Sequence, residues 1–190
     1  MKPLYLCKFA AAVLAAGLLA SCGTVEPQHY AKELPLLDLQ QYFNGRLQAH
    51  GMFQDRSGTV IKRFSVAMLC HWNGDTGTLE EDFSYSDGTR QRRVWTLRKV
   101  APDRYIGTAP DVVGEAIGIV SGNALRWNYV LALPVDGKIV NVDFEDWMFL
   151  IDQRVMLNRA AMSKFGFSLG AVTLSFDKPE GGAAREPKNP

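Results

Sequence analysis

From Arg46 to Phe176 apolar residues return at every second position, and turns rich in Gly, Asn and Asp cut the alternation about every ten residues. Leu47, Ala49, Gly51 and Phe53 share one face of a first strand, and Phe64, Val66, Met68, Cys70 and Trp72 share one face of a second. Leu79, Glu81, Phe83 and Tyr85 do so in a third, and Trp95 and Leu97 mark a fourth. Tyr105 to Thr108 is a short strand, and Asp111 to Val120 is a further one, loosened by Gly114 and Gly118. Leu125, Trp127, Tyr129, Leu131 and Leu133 give the cleanest alternation, followed by Val140, Val142, Phe144, Met148 and Leu150. Val155 to Met162 and Phe167 to Phe176 complete nine or ten strands. Parallel neighbours need crossovers of a dozen or more residues, and these connections are too short. The pattern predicts an all-β fold, an antiparallel up-and-down meander that closes into a β-barrel to remove its edges. Strands of ten or more residues leave room for an internal cavity.

The competing architecture is an outer-membrane barrel, which also has ten-residue alternating strands. It would have to place Arg63, Glu80, Asp82, Arg92, Arg98 and Arg126 in its lumen. The chain runs on past Phe176 into a polar tail, whereas such barrels end on an aromatic strand. Ahead of the strands, Leu36, Leu37, Leu39 and Phe43 have helical spacing and Asn44-Gly45 stops them, so a short N-terminal helix is expected to close against the barrel. Gly23 to Pro35 shows no periodicity and reads as a flexible tether; residues 178–190, with prolines, glycines and mixed charge, read as a disordered tail.

The first residues follow different rules. Lys2 and Lys8 give a positive start ahead of a run of 12 small and apolar residues, Phe9 to Ala20, too short to span a bilayer and right for a signal peptide over residues 1–21. Leu19-Ala20-Ser21-Cys22 resembles the lipobox of bacterial lipoproteins, which implies a lipid-bearing Cys22 at the new N-terminus. Two acyl chains anchor a protein stably. Gly23 stands where a retention aspartate would, which by the same resemblance implies the periplasmic face of the outer membrane. Without the leader's two lysines, 19 of the 21 basic residues remain against 20 acidic ones. That overall balance argues against a nucleic-acid binder and against a polybasic membrane contact. Cys7 leaves with the leader and Cys22 carries lipid, so Cys70 has no disulfide partner and reads as a buried thiol.

Several segments together resemble an uncharacterised family of bacterial lipoproteins, domain of unknown function 3833. They include Tyr42-Phe43-Asn44-Gly45, Gly51-Met52-Phe53-Gln54-Asp55-Arg56-Ser57-Gly58, Gly74-Asp75-Thr76-Gly77-Thr78-Leu79 and Gln91-Arg92-Arg93-Val94-Trp95. Gly122-Asn123-Ala124-Leu125-Arg126-Trp127, Asp146-Trp147-Met148 and Arg154-Val155-Met156-Leu157-Asn158-Arg159-Ala160 continue the pattern. The resemblance covers residues 42–176 and transfers no catalytic residue. Association of such proteins with genes for membrane fatty-acid modification implies a lipid-related role. The barrel itself resembles the lipocalin or calycin class.

No constellation specifies a reaction. His50 and His71 lack a second ligand at metal spacing, so no metal site is expected, and no cofactor. There is no Gly-x-Ser-x-Gly elbow, and Gly114 and Gly118 are not followed by Gly-Lys-Ser/Thr. The informative residues are charges within apolar faces. Glu81 shares a face with Leu79, Phe83 and Tyr85, and Asp146 shares one with Phe144 and Met148. A buried acid needs a cation or donors, and Arg93, Arg126, Arg154 and Arg159 are available. These groups serve either as register-fixing ion pairs or as a polar anchor that grips a ligand carboxylate or phosphate through an arginine. Trp95, Trp127 and Tyr129, with Phe144 and Met148, would line the apolar part, or simply be core. The expected ligand site is therefore Glu81, Trp95, Arg126, Trp127, Tyr129, Asp146, Arg154 and Arg159, with Cys22 the lipid attachment. The expected function is a non-enzymatic binder or carrier of an acyl-chain or other amphipathic ligand. The alternatives are an adaptor lipoprotein with a solid-packed barrel and a protein partner, and an enzyme acting on lipid.

Overall fold

A computed structural model describes residues 24–135 and 137–179. The signal segment, Cys7, Cys22 and residues 180–190 lie outside the described residues.

The alternation folds as expected, into a closed antiparallel barrel of ten strands. In chain order they are β1 (Gly45–Asp55), β2 (Val60–Asn73), β3 (Thr76–Tyr85), β4 (Arg90–Ala101), β5 (Arg104–Thr108), β6 (Ala116–Ser121), β7 (Ala124–Val135), β8 (Lys138–Leu150), β9 (Val155–Lys164) and β10 (Phe167–Asp177). Each pairs with its sequence neighbours, and β1 closes the ring on β10 through Ala49 opposite Phe176 and Phe53 opposite Val172. Every strand thereby has a partner on both sides, although β5 covers only the Thr96–Ala101 part of β4 and β6 only the Ala124–Asn128 part of β7. The apolar face points inward, where Val66, Met68, Cys70, Leu79, Trp95, Leu125 and Phe144 are buried. Asp82, Arg92 and Arg98 point out, and Arg92 bridges Glu80 and Asp82 on the outer wall. An apolar interior and a charged exterior are the reverse of a lipid-spanning barrel.

The strand expected over Asp111–Val120 is half loop. β6 starts only at Ala116, and residues 109–115 run along the free edge of β7, where Val112 bridges Leu131, held by Val113 N donating to Val130 O (2.9 Å) and Ala132 N to Asp111 O (2.9 Å). With β5 at five residues and β6 at six, the wall is short here and the loop completes it. Gly118, read as loosening its strand, sits in regular register opposite Tyr105 and Trp127. A β-carbon there, or at Gly107 on β5, would overlap the Trp127 ring, so the two glycines make the bed for that indole.

One end of the barrel is closed by α1 (Leu39–Tyr42), a single turn within the expected helix. Asp38 caps it by accepting from the Gln40 and Gln41 amides. Leu39 and Tyr42 are buried, the Tyr42 hydroxyl donates to Arg154 O (2.9 Å), and Phe43 packs edge-on against Phe176. Lys178 Nζ donates to the Gln41 and Tyr42 carbonyls (2.7 and 3.1 Å). The residue read as the start of a disordered tail is thus the cation at the helix's C-terminal end.

Residues 24–35, expected as a flexible tether, are instead docked against the same end of the barrel. A 3-10 turn over Pro27–Tyr30 buries Pro27, and Tyr30 meets Trp147 and Phe149 edge-on at 5.7 and 5.0 Å. Gly122 (φ +57°) lets the Tyr30 carbonyl approach where any β-carbon would collide with it. Glu26 pairs with Arg126 at 2.9 Å. Periodicity could not reveal this contact, because it is made by a backbone carbonyl, one aromatic ring and one ion pair.

Candidate functional site

The barrel is hollow. A cavity of about 380 Å³ runs from the α1 plug toward the opposite end. At the plugged end its walls are the buried Leu39, Phe43, Leu125 and Phe176; at the other they are Pro134 and Gln91, both exposed, which marks the mouth. The volume lies in the range of small-molecule sites, and most of the lining is apolar.

The polar groups converge from β3, β4, β7, β8 and β9 into this apolar space. Glu81, Arg93, Tyr129, Asp146 and Asn158 point inward because they fall on the buried parity of their strands. Tyr129 donates to Asp146 at 3.2 Å and stacks on Phe144 at 5.1 Å between ring centres. Trp95 stands edge-on to both Trp127 (5.9 Å) and Tyr129 (5.5 Å). Arg93 makes a bidentate pair with Asp111, Nη2 to Oδ2 at 2.6 Å, and that carboxylate arrives from the loop between β5 and β6.

Charge is unbalanced here. Arg93 is matched by Asp111, which leaves Glu81 and Asp146 without a full counter-charge. Burial pushes the Glu81 carboxyl up to about 7; Arg93 opposes the shift and Asp111 adds to it. Burial also pushes Asp146 up to about 7, against hydrogen bonds from Tyr129 and Asn158 and the field of Arg93, with Glu81 adding to it. Tyr129 is driven well above its ordinary value by burial and then by Asp146. Among the described residues Asn158 Oδ1 is buried without a hydrogen-bond partner. The site therefore offers acceptors and two near-neutral-titrating carboxyls.

Five of the eight residues expected at the ligand site line this cavity: Glu81, Trp95, Trp127, Tyr129 and Asp146. The three arginines do not. Arg126 is on the outward parity of β7, paired with Glu26 and lying over the Trp147 ring. Arg154 sits at the head of β9 and bonds Asp177 on the rim of the closed end. Arg159 points out of β9, between the buried Asn158 and Ala160. Among the described residues the cavity's arginine is Arg93, and Asp111 already occupies its guanidinium, which corrects the expectation that a free arginine would grip a ligand anion. Arg93 shares parity with Trp95 and Leu97 and was legible as inward; Asp111 was not, because it reaches the site through a loop. Cys70 is buried between β1 and β3, and burial pushes its thiol up to about 12, which keeps it protonated. His50 and His71 are exposed, and among the described residues no three His, Cys, Asp or Glu side chains stand close enough to hold a metal ion.

Solved structures align with this chain at low identity. An S-type phycobiliprotein lyase from Guillardia theta aligns with TM-score 0.54 and 7% identity, covering 83% of this chain and all of that one. A de novo designed fluorescence-activating β-barrel gives 0.41 and 12%, covering 76% of this chain and 100% of its own. A protein of unknown function from the DUF3598 family of Nostoc punctiforme gives 0.47 and 12%, over 77% of this chain and 51% of that one. At these identities the likeness to the lyase is one of fold, a lipocalin-like all-β barrel. No curated protein sequence matches the chain. Residues 16–178 match the model of a family described as proteins of unknown function, DUF3833, and the chain belongs to that family.

Proposed function

We propose that the protein is a lipid-anchored envelope protein whose barrel binds an amphipathic small molecule. The observation that carries this reading is the hollow, largely apolar cavity with a few convergent polar groups at mid-height. A solid-packed barrel, as an adaptor would have, leaves no such space. The apolar body of the ligand packs against Phe64, Trp127 and Phe144, and its head meets Glu81, Tyr129 and Asp146. Because the uncompensated groups there are acids, the favoured head donates hydrogen bonds or carries positive charge, as in a long-chain alcohol or amine. A fatty acid enters best when its own carboxyl or the two acids are protonated.

Purified protein titrated with dodecylamine, dodecanol and laurate, followed by tryptophan fluorescence from Trp95 and Trp127, is the direct test. Saturable binding is expected for the amine and the alcohol, with laurate gaining affinity as pH falls below about 7. Absence of saturable binding for all three sinks the reading. Acid–base chemistry on a bound lipid would also use the Tyr129–Asp146 contact at 3.2 Å.

The anchor is the second half of the proposal. Lipidation at Cys22, with placement on the periplasmic leaflet of the outer membrane, is supported by the signal-like residues 1–21 and by a family match that begins at residue 16 and so runs through Cys22. The Cys22→Ala chain is expected to accumulate as a precursor larger by the leader and to leave the outer-membrane fraction. A variant of mature size that still fractionates with the outer membrane would exclude this anchor.

A further inference from the structure

We propose that the open rim of the barrel is a docking surface for an anionic phospholipid bilayer, and that it faces away from the membrane bearing the Cys22 anchor.

Three hairpin tips stand side by side at the mouth: β1–β2, β9–β10 and β7–β8. They adjoin because β10 pairs with β1 and β9 with β8. From them rise Ile61 (63% exposed), Phe165 (84%), Phe167 (76%) and Ile139 (68%). None belongs to the core, and all four stand exposed on the adjoining tips beside the cavity opening.

Phe165 shows that this exposure is not incidental. Lys164 pairs with Phe167, so the turn between β9 and β10 has two residues, Phe165 at φ 52° and Gly166 at φ 80°. Such a turn suits Asn-Gly, and a bulky side chain is disfavoured in its first position. The strain is not offset by burial, since Phe165 touches little but the Lys164 ammonium, 4.8 Å from its ring centre. Strain retained at an exposed aromatic tip points to a contact made outside the chain.

The charges around these residues indicate which surface. Among the described residues Arg56, Lys62, Arg63, Lys138 and Lys164 lie on the three tips, against Asp55. Asp55 is turned back to accept from Ser57 and Thr59 of its own turn, and Lys62 is shared with Asp87 of the neighbouring hairpin. Aromatic and aliphatic tips among cations match the interface of an anionic bilayer. A plane meets all three separate tips at once, and it sets the mouth against hydrocarbon, so an apolar ligand crosses without entering water.

The direction follows from chain length. Glu26 is held by Arg126 near the plugged end, and Cys22 is four residues upstream, a reach of at most about 14 Å. From Arg126 the strand runs nine residues to Val135 at the mouth, about 30 Å along the strand and roughly 23 Å of barrel height at the usual tilt. An anchored chain therefore presents its rim to a second bilayer. This direction rests on the proposed anchor; the rim itself does not.

The test uses the full chain, held by its own N-terminus in phosphatidylcholine vesicles and mixed with differently labelled vesicles containing about one third phosphatidylglycerol. Bridging between the two populations is expected, and it weakens with salt. Phe165→Ser with Phe167→Ser should require roughly a hundredfold more protein for the same bridging. Phe165→Asn guards against misfolding: it relieves the turn, so its Tm should rise by a few degrees while bridging falls about tenfold. Bridging unchanged in Phe165→Asn, or equal capture of phosphatidylcholine vesicles, overturns the proposal. So does a wild-type chain that captures no vesicles, even if a protein is found on the rim. Cavity titration of Phe165→Asn separates the two ideas: unchanged ligand affinity is expected there, and a cavity that binds nothing leaves bridging intact.

Discussion

Replacing Trp127 with alanine is expected to destabilise the barrel by about 3–5 kcal/mol, the largest effect of any single truncation in the wall. The indole is 5% exposed, lies in the bed made by Gly107 and Gly118, and meets Trp95 edge-on. Its removal cannot be healed by collapse, because the strands around it are held at fixed spacing by their own ladder: Gly118 pairs with Trp127 and Asp146 faces it from β8. The void joins the existing cavity. Urea denaturation should therefore show a midpoint fall at nearly constant slope. In the same variant the cavity should admit bulkier amphiphiles while losing affinity for slim ones. The reciprocal change, Gly118→Val, adds carbon where the ring already sits and drives the indole into the cavity; it should abolish ligand binding and cost about 1–3 kcal/mol through overpacking. A Trp127→Ala chain destabilised by less than about 1 kcal/mol would mean that the glycine bed does not hold the ring as described.

Parity explains both what the sequence made legible and what it did not. Glu81, Trp95, Trp127, Tyr129 and Asp146 reach the cavity because a strand turns alternate residues to one side, and the pattern alone told which side. The same rule places Arg126 and Arg159 outside, each one residue from an inward neighbour; the demand that buried acids find an arginine was the weaker argument. Arg154, at a turn, has no parity to read. Asp111 escaped because its stretch has strand composition, yet β5 and β6 are too short to carry it, and the loop brings the carboxylate back to Arg93. The rim was hidden because it depends on which hairpins become neighbours when β10 meets β1; the docking of residues 24–35 was hidden because a carbonyl, one aromatic ring and one ion pair make it. Phe167 begins a strand as a core residue would, yet it stands 76% exposed at the mouth.

Stability of this barrel is expected to fall as pH rises from about 5 to 8, opposite to the trend of a protein held by ordinary surface carboxylates. Glu81 and Asp146 both titrate near 7 in the folded chain, from ordinary values of 4.5 and 3.8. Between those values and 7 the folded chain holds protons that the unfolded chain has released, so each unit of rising pH favours unfolding until the folded groups ionise too. Each acid contributes on the order of 3 kcal/mol over the whole window, fully present below about pH 4 and lost above about 7. Asp55, Asp87 and Asp152 are held low by hydrogen bonds in exposed turns, led by Ser57 on Asp55, Lys62 on Asp87 and the Val155 amide on Asp152. Their contributions have the other sign and disappear only as pH falls below the ordinary carboxylate range, outside this window. Glu81→Gln and Asp146→Asn keep the shape and remove the titration. Each should match the parent near pH 5, exceed it by about 2 kcal/mol near pH 8, and flatten the profile in urea denaturation. A parent whose stability is level or rising from pH 5 to 8 would show that the two carboxyls are compensated after all. The same linkage ties stability to the ligand. A cationic head beside Glu81 and Asp146 favours their ionised forms, so dodecylamine should raise the unfolding midpoint more at pH 8 than at pH 5, and dodecanol should not share that difference.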